Sequence, residues 1–155
     1  MYITLSILTM TVSLELTMRP IHLETFRAGA DCAVLQIAGE VGTYTAPQVR
    51  ERVIQLLAEG VRHVIADLRG VEFLDSTGLG AIVGSLRRLR EQDGSLALVA
   101  GPGRITQLFR VTGLVRVFAL HQSVPEAITG DGRWAAALLS EGHGSGEWCR
   151  KHGLL

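Results

Sequence analysis

The sequence predicts an α/β domain: a mixed sheet of four to five strands packed with four helices, carrying N- and C-terminal extensions. Three observations predict it. Two short apolar runs, HVIADL at 63–68 and SLALVA at 95–100, have the length and β-branched character of strands buried on both faces. Each follows a segment whose apolar residues recur at helical spacing. Earlier, Ile21 to Arg27 and Cys32 to Ala38 flank the turn Ala28-Gly29-Ala30-Asp31 and read as a hairpin. Strands alternating with amphipathic helices specify a layered α/β arrangement.

The elements follow in order. Gly39 to Tyr44 reads as a loop. Thr45 is a helix N-cap type, Pro47 suits a first turn, and Gln48 completes a capping box. Val49, Val53, Leu56 and Leu57 then form one apolar face, and Gly60 ends the helix. After the strand at 63–68, Gly70 to Asp75 reads as a loop with Val71, Phe73 and Leu74 turned inward. The second helix carries the stripe Leu79, Ile82, Val83, Leu86 and Leu89; Arg87, Arg88 and Arg90 suit the negative end of its dipole. Asp93-Gly94 turns into the strand at 95–100, which Gly101-Pro102-Gly103 breaks. Ile105, Leu108 and Phe109 mark a third helix ending at Gly113, and Val115, Val117 and Phe118 a short edge strand. Ser123 caps a last core helix through Val124, Ala127 and Ile128, closed by Gly130.

At 155 residues the chain is long enough to bury a core without disulfides or metal. Hydrophobic residues make up 47% and charged residues 19%, which excludes a disordered chain. Fifteen basic residues balance fifteen acidic ones and aromatics are only 5%, so neither the basic field nor the stacking platform of a nucleic-acid binder is present. Lys151 is the single lysine, which excludes a phosphate-binding loop of the Walker type and a Schiff-base lysine in the core. Two distant cysteines, Cys32 and Cys149, and scattered histidines give no metal-ligand spacing, so no metal and no cofactor is expected. Cys32 reads as a small core residue, and His22, His63 and His121 as surface or strand-end histidines. A reducing, cytoplasmic setting and no membrane association are expected.

Residues 1–20 are read as an N-terminal extension. Residues 1–17 are apolar and hydroxylic, with an alternation that changes phase between Ile7 and Leu8. No cation precedes Arg19, as a signal peptide would require, and polar residues break the run too often for a membrane helix. Two readings stand: an extra strand, or a stretch upstream of a natural start at Met18. Residues 130–155 are read as a tail, with a helix over Trp134 to Leu139, a flexible linker from Gly142 to Gly146, and Trp148 and Leu154 able either to dock back or to stay mobile.

One segment carries chemistry: Phe73-Leu74-Asp75-Ser76-Thr77-Gly78-Leu79-Gly80. Asp75, Ser76 and Thr77 are all N-cap types, and Gly78 and Gly80 permit close backbone approach. Free N–H groups at a helix start favour an anion, so a phosphate on Ser76 fits without unfolding anything. It would add about −1.5 to −2 charges beside Asp75. A well-capped helix with no further role accounts for the same residue types.

The run VIADLRGVEFLDSTGLG at 64–80 resembles the signature of the STAS domain of anti-sigma factor antagonists. Three more stretches agree in order and spacing: Gly39-Glu40-Val41 through Thr45-Ala46-Pro47, Gln107 to Leu114, and Phe118 to Ile128. The resemblance covers about residues 21–129. It implies that Ser76, directly after Asp75, is a phosphorylation site. Asp75, Thr77, Gly78 and Leu79, together with Gly42, Thr43 and Tyr44, would form the partner-binding surroundings. It further implies partner switching. The unphosphorylated domain binds an anti-sigma factor that is an ATP-dependent serine kinase, a sigma factor is released, phosphorylation of Ser76 ends the binding, and a PP2C-type phosphatase resets it. The implied protein is a regulator and not an enzyme. Many family members carry Asp where this chain has Gly42, which leaves Ser76 with less local negative charge. Two other functions remain open: a STAS module that binds partners constitutively, and a serine hydrolase using Ser76. The hydrolase is disfavoured because a nucleophile elbow needs Gly where Leu74 stands.

Overall fold

The computed structural model describes residues 21–155. The expectations for residues 1–17 lie outside the described residues. Five strands form one sheet in the order β1-β2-β3-β4-β5. They are β1 (His22–Ala28), β2 (Cys32–Val41), β3 (His63–Leu74), β4 (Ser95–Val99) and β5 (Ala119–His121). The β1–β2 hairpin is antiparallel and the other three pairs are parallel, so the sheet is mixed as predicted.

Helices cover both faces. On one lie α1 (Ala46–Ala58), α2 (Ser76–Glu91) and α3 (Arg104–Val111). They meet alternate strand residues: Ala33, Leu35 and Ile37 of β2, Val64, Ala66 and Leu68 of β3, and Leu96 and Leu98 of β4. On the other lie α4 (Val124–Thr129), α5 (Gly132–Ser140) and α6 (Ser145–Lys151). These meet the complementary set Cys32, Val34, Ile65 and Val99. The period of two thus feeds two cores, and so the inner strands are apolar almost throughout. Among the described residues, no helix is long and apolar enough to cross a membrane.

The segment 130–155 is helical and docked. Trp134 and Trp148 are each 1% exposed and meet edge-on at 5.8 Å. Asp131 caps α5 by accepting from Arg133 N–H at 2.9 Å. Instead of a linker from Gly142 to Gly146, a short connection leads into α6, which starts at Ser145. Cys149 and Leu154 are fully buried. The Arg69 guanidinium joins this segment to the sheet: it grips the buried Asp67 carboxylate at 2.8 and 2.9 Å and donates to Leu154 C=O at 2.9 Å. Cys32 is a core residue as expected, and burial pushes its thiol up to about 12 and that of Cys149 to about 11. Both are therefore inert thiols at neutral pH.

Four local expectations are corrected. Gly39-Glu40-Val41 is not a loop but the end of β2, and Gly70 to Leu74 is not a loop but the end of β3. Pairing between neighbouring strands carries both through. The capping box at α1 does not form, because the Thr45 hydroxyl is used elsewhere: it donates to Glu40 C=O at 2.6 Å and accepts from Gly42 N–H at 2.9 Å. Leu114–Arg116 is a 3-10 turn and the edge strand follows it at Ala119–His121, since Phe118 is drawn into the core against Phe109.

Candidate functional site

The site sits where β3 hands over to α2. Strand β4 pairs with β3 only from His63 to Asp67, whereas β2 stays paired as far as Val41 opposite Leu74. Past Asp67, the ends of β2 and β3 therefore run on without β4 beside them. Their register slips twice, between Gln36 and Ala38 and between Gly39 and Glu40. At the second slip Glu72 is the extra residue, and Gly39 takes φ +99°, which glycine allows without strain. The bulge resets the alternation. Val71 and Leu74 are buried, but Phe73, expected inside, is turned outward and is 51% exposed.

Asp75 is the N-cap of α2, and its carboxylate accepts from Gly78 N–H at 2.8 Å. Its own N–H donates to Val41 C=O at 3.3 Å, which fixes the helix start against β2. Gly78 is required there: a Cβ would collide with Val41 C=O and approach Leu74 Cδ1 to 2.8 Å. Gly80 has no such duty, because a Cβ there meets nothing within 4 Å. Of the three N-cap types, Asp75 takes the cap. Ser76 and Thr77 stay exposed in the first turn, where the helix dipole favours negative charge. Leu79 is half-buried against the first core.

Gly42, Thr43 and Tyr44 lie on the turn from β2 into α1. Together with Glu40, Thr45, Phe73 and Asp75 they line a surface cavity of about 160 Å³. Tyr44, 55% exposed, and Phe73 both border it. Gly42 faces the cap directly: a Cβ at 42 would stand 2.9 Å from Asp75 Oδ2. A side chain at 42 therefore presses on the cap itself, and an acidic one would set two carboxylates against each other. The structure thus brings Gly42, Thr43 and Tyr44 together with Phe73 and Asp75, and Ser76 is exposed next in the chain after Asp75. Glu40, Thr45 and Phe73 are the lining residues that were not among the expected site residues. Only the bulge explains Phe73, and the glycine at 39 is its one trace in the sequence.

The histidines are elsewhere. His63 opens β3, twelve residues of extended chain from the end that leads to Ser76. That is about 35–40 Å at ~3.3 Å per residue. His63 is therefore not placed to activate the Ser76 hydroxyl as a hydrolase would need. His121 lies 3.7 Å from Glu126. Among the described residues, no group of three or more His, Cys, Asp or Glu side chains could hold a metal ion.

A profile of the STAS domain matches residues 26–127. An anti-sigma-B factor antagonist of Staphylococcus aureus (strain NCTC 8325 / PS 47) is 36% identical over 80 residues, covering 52% of this chain and 74% of that protein. The crystal structure of an anti-sigma factor antagonist from Mycobacterium paratuberculosis aligns with a TM-score of 0.65 at 24% identity, over 72% of this chain and 93% of that one. The Bacillus cell fate determinant SpoIIAA in its phosphorylated form aligns with a TM-score of 0.57 at 21% identity, over 70% of this chain and 97% of its own. These two structures speak for the fold. The profile spans the sheet from β1 to α4 and takes in the whole of the Phe73–Gly80 segment, so the chain belongs to the STAS-domain family.

Proposed function

We propose that the protein is an anti-sigma factor antagonist that works by partner switching at Ser76. One observation carries the reading. Ser76 is exposed in the first turn of α2 while Asp75 alone supplies the cap, so the Ser76 hydroxyl is free to be modified without loss of the helix start. The Staphylococcus relative named as an anti-sigma-B factor antagonist supports the same function. The unphosphorylated surface, with Phe73 and Tyr44 as its apolar contacts, binds an anti-sigma factor that is also an ATP-dependent serine kinase. That binding releases a sigma factor. Phosphorylation adds about −1.5 to −2 charges directly after Asp75, and desolvating that charge opposes redocking. A PP2C-type phosphatase restores the serine.

The test is phosphopeptide mapping after incubation with the cognate kinase and Mg-ATP. Phosphate is expected on Ser76 and is lost in Ser76→Ala, which stays bound to the kinase when ATP is added. Phosphate on Thr77, or none, overturns the switch and leaves a constitutive STAS binding module.

A further inference from the structure

Beyond the profile match, residues 130–155 cover the second face of the sheet, and their attachment contains a titratable contact. The contact is at the amino-terminal end of β3, away from Ser76. His63 is 5% exposed. Its Nδ1 is 2.9 Å from Ser95 Oγ of β4, and Arg133 Nη1 of α5 lies 3.2 Å from Nδ1 and 3.4 Å from Nε2. Being nearly equidistant from both ring nitrogens, Nη1 lies over the ring face, where a guanidinium stacks on a neutral imidazole. An imidazolium repels that guanidinium, so protonation turns a stacked contact into two facing cations. We propose that the His63–Arg133 contact is an acid-sensitive latch: neutral His63 holds α5 on the sheet, and protonation of His63 releases the C-terminal extension. The proposal does not depend on the role of Ser76.

The other groups around the ring are accounted for. Asp31, on the β1–β2 turn, and Asp131, before α5, both favour the imidazolium. Asp131 is engaged by Arg133, whose N–H is at 2.9 Å and Nε at 3.5 Å, and Asp31 Oδ1 is 3.7 Å from Cys32 Sγ. The Arg62 guanidinium donates to Leu57 and Val61 carbonyls, each at 2.9 Å. Burial and then Arg133 outweigh the two carboxylates and hold His63 below its ordinary 6.5. For a base whose folded value is depressed, the stabilisation is complete above the unfolded value. It is lost as pH falls below 6.5 toward the folded value.

The chain's only two tryptophans, Trp134 and Trp148, both lie in the extension, so their fluorescence reads its docking directly. Denaturant unfolding of the full chain is followed by fluorescence and by far-UV circular dichroism at about pH 7.5 and about pH 5.5. The two transitions should coincide at the higher pH. At the lower pH the fluorescence transition should come first, the docking constant falling by at most about tenfold per pH unit. His143 and His152 belong to the same extension, so variants assign the effect. His63→Gln, which keeps an acceptor and cannot titrate, should remove most of the pH dependence. Arg133→Gln, at a side chain that is 57% exposed, should reduce the pH dependence, burial of the ring keeping the remainder, and carries the test if the first variant fails to fold. Coincident transitions at both pH values overturn the latch. So does wild-type pH dependence in Arg133→Gln, or an NMR titration placing His63 at or above 6.5.

Discussion

The two ends of β3 are built to opposite rules. Its first six residues are buried and its last six expose four, although the strand is continuous from His63 to Leu74. At the first end, β4 pairs alongside, three helices lie on one face and the extension lies on the other. At the second end β4 is gone, two register slips twist the pairing with β2, and α2 starts where the strand stops. Polar chemistry at the buried end is locked into packing: His63 against Ser95 and Arg133, Asp67 against Arg69. At the exposed end Asp75 and Thr45 are tied down to neighbouring backbone, and Phe73, Ser76 and Tyr44 stay exposed. A strand that leaves its sheet can present a rigid surface because its other half is overdetermined by packing.

The comparison predicts a gradient of stability effects, steepest on the buried side. Trp148→Ala should be the most damaging change, removing a fully buried side chain packed on Trp134 and costing about 3–5 kcal/mol. Chemical denaturation checks it, and a loss below about 1 kcal/mol would show that the extension contributes little to the fold. Asp75→Ala stands between the two ends. It removes the cap of α2 and should cost about 0.5–2 kcal/mol, read as a lower midpoint with native circular dichroism. Phe73→Ser should leave the midpoint within about 0.5 kcal/mol, since the ring is half in solvent. Its effect should appear in partner binding instead, as at least a tenfold weaker complex with the proposed anti-sigma partner by calorimetry. A destabilised Phe73→Ser with unchanged binding would reverse the contrast between the two ends.

Short-range signals carried most of the site into the sequence. Asp75-Ser76-Thr77 ahead of an apolar stripe marks a helix start through local hydrogen bonding, and it lies where the residues put it. The same holds for Ser123, which caps α4 by accepting from Glu126 N–H at 3.2 Å, and for the hairpin between β1 and β2. The capping box at Thr45 failed because a hydroxyl can serve one local geometry, and the turn at Gly42 claimed it.

What the sequence by itself determined was the order of strands and helices from β1 to α4, the resemblance at 64–80 and the helix start at Ser76, because periodicity and capping act within a few residues. Only the tertiary structure decided that Phe73 faces out, that Gly42 lies against Asp75, that Trp134 and Trp148 close the second face, and that His63 meets Arg133 seventy residues away. Each of these depends on which strand pairs with which, and at what register. A bulge inverts the facing of every residue after it, and no local pattern states where a partner strand slips or which distant helix covers a sheet.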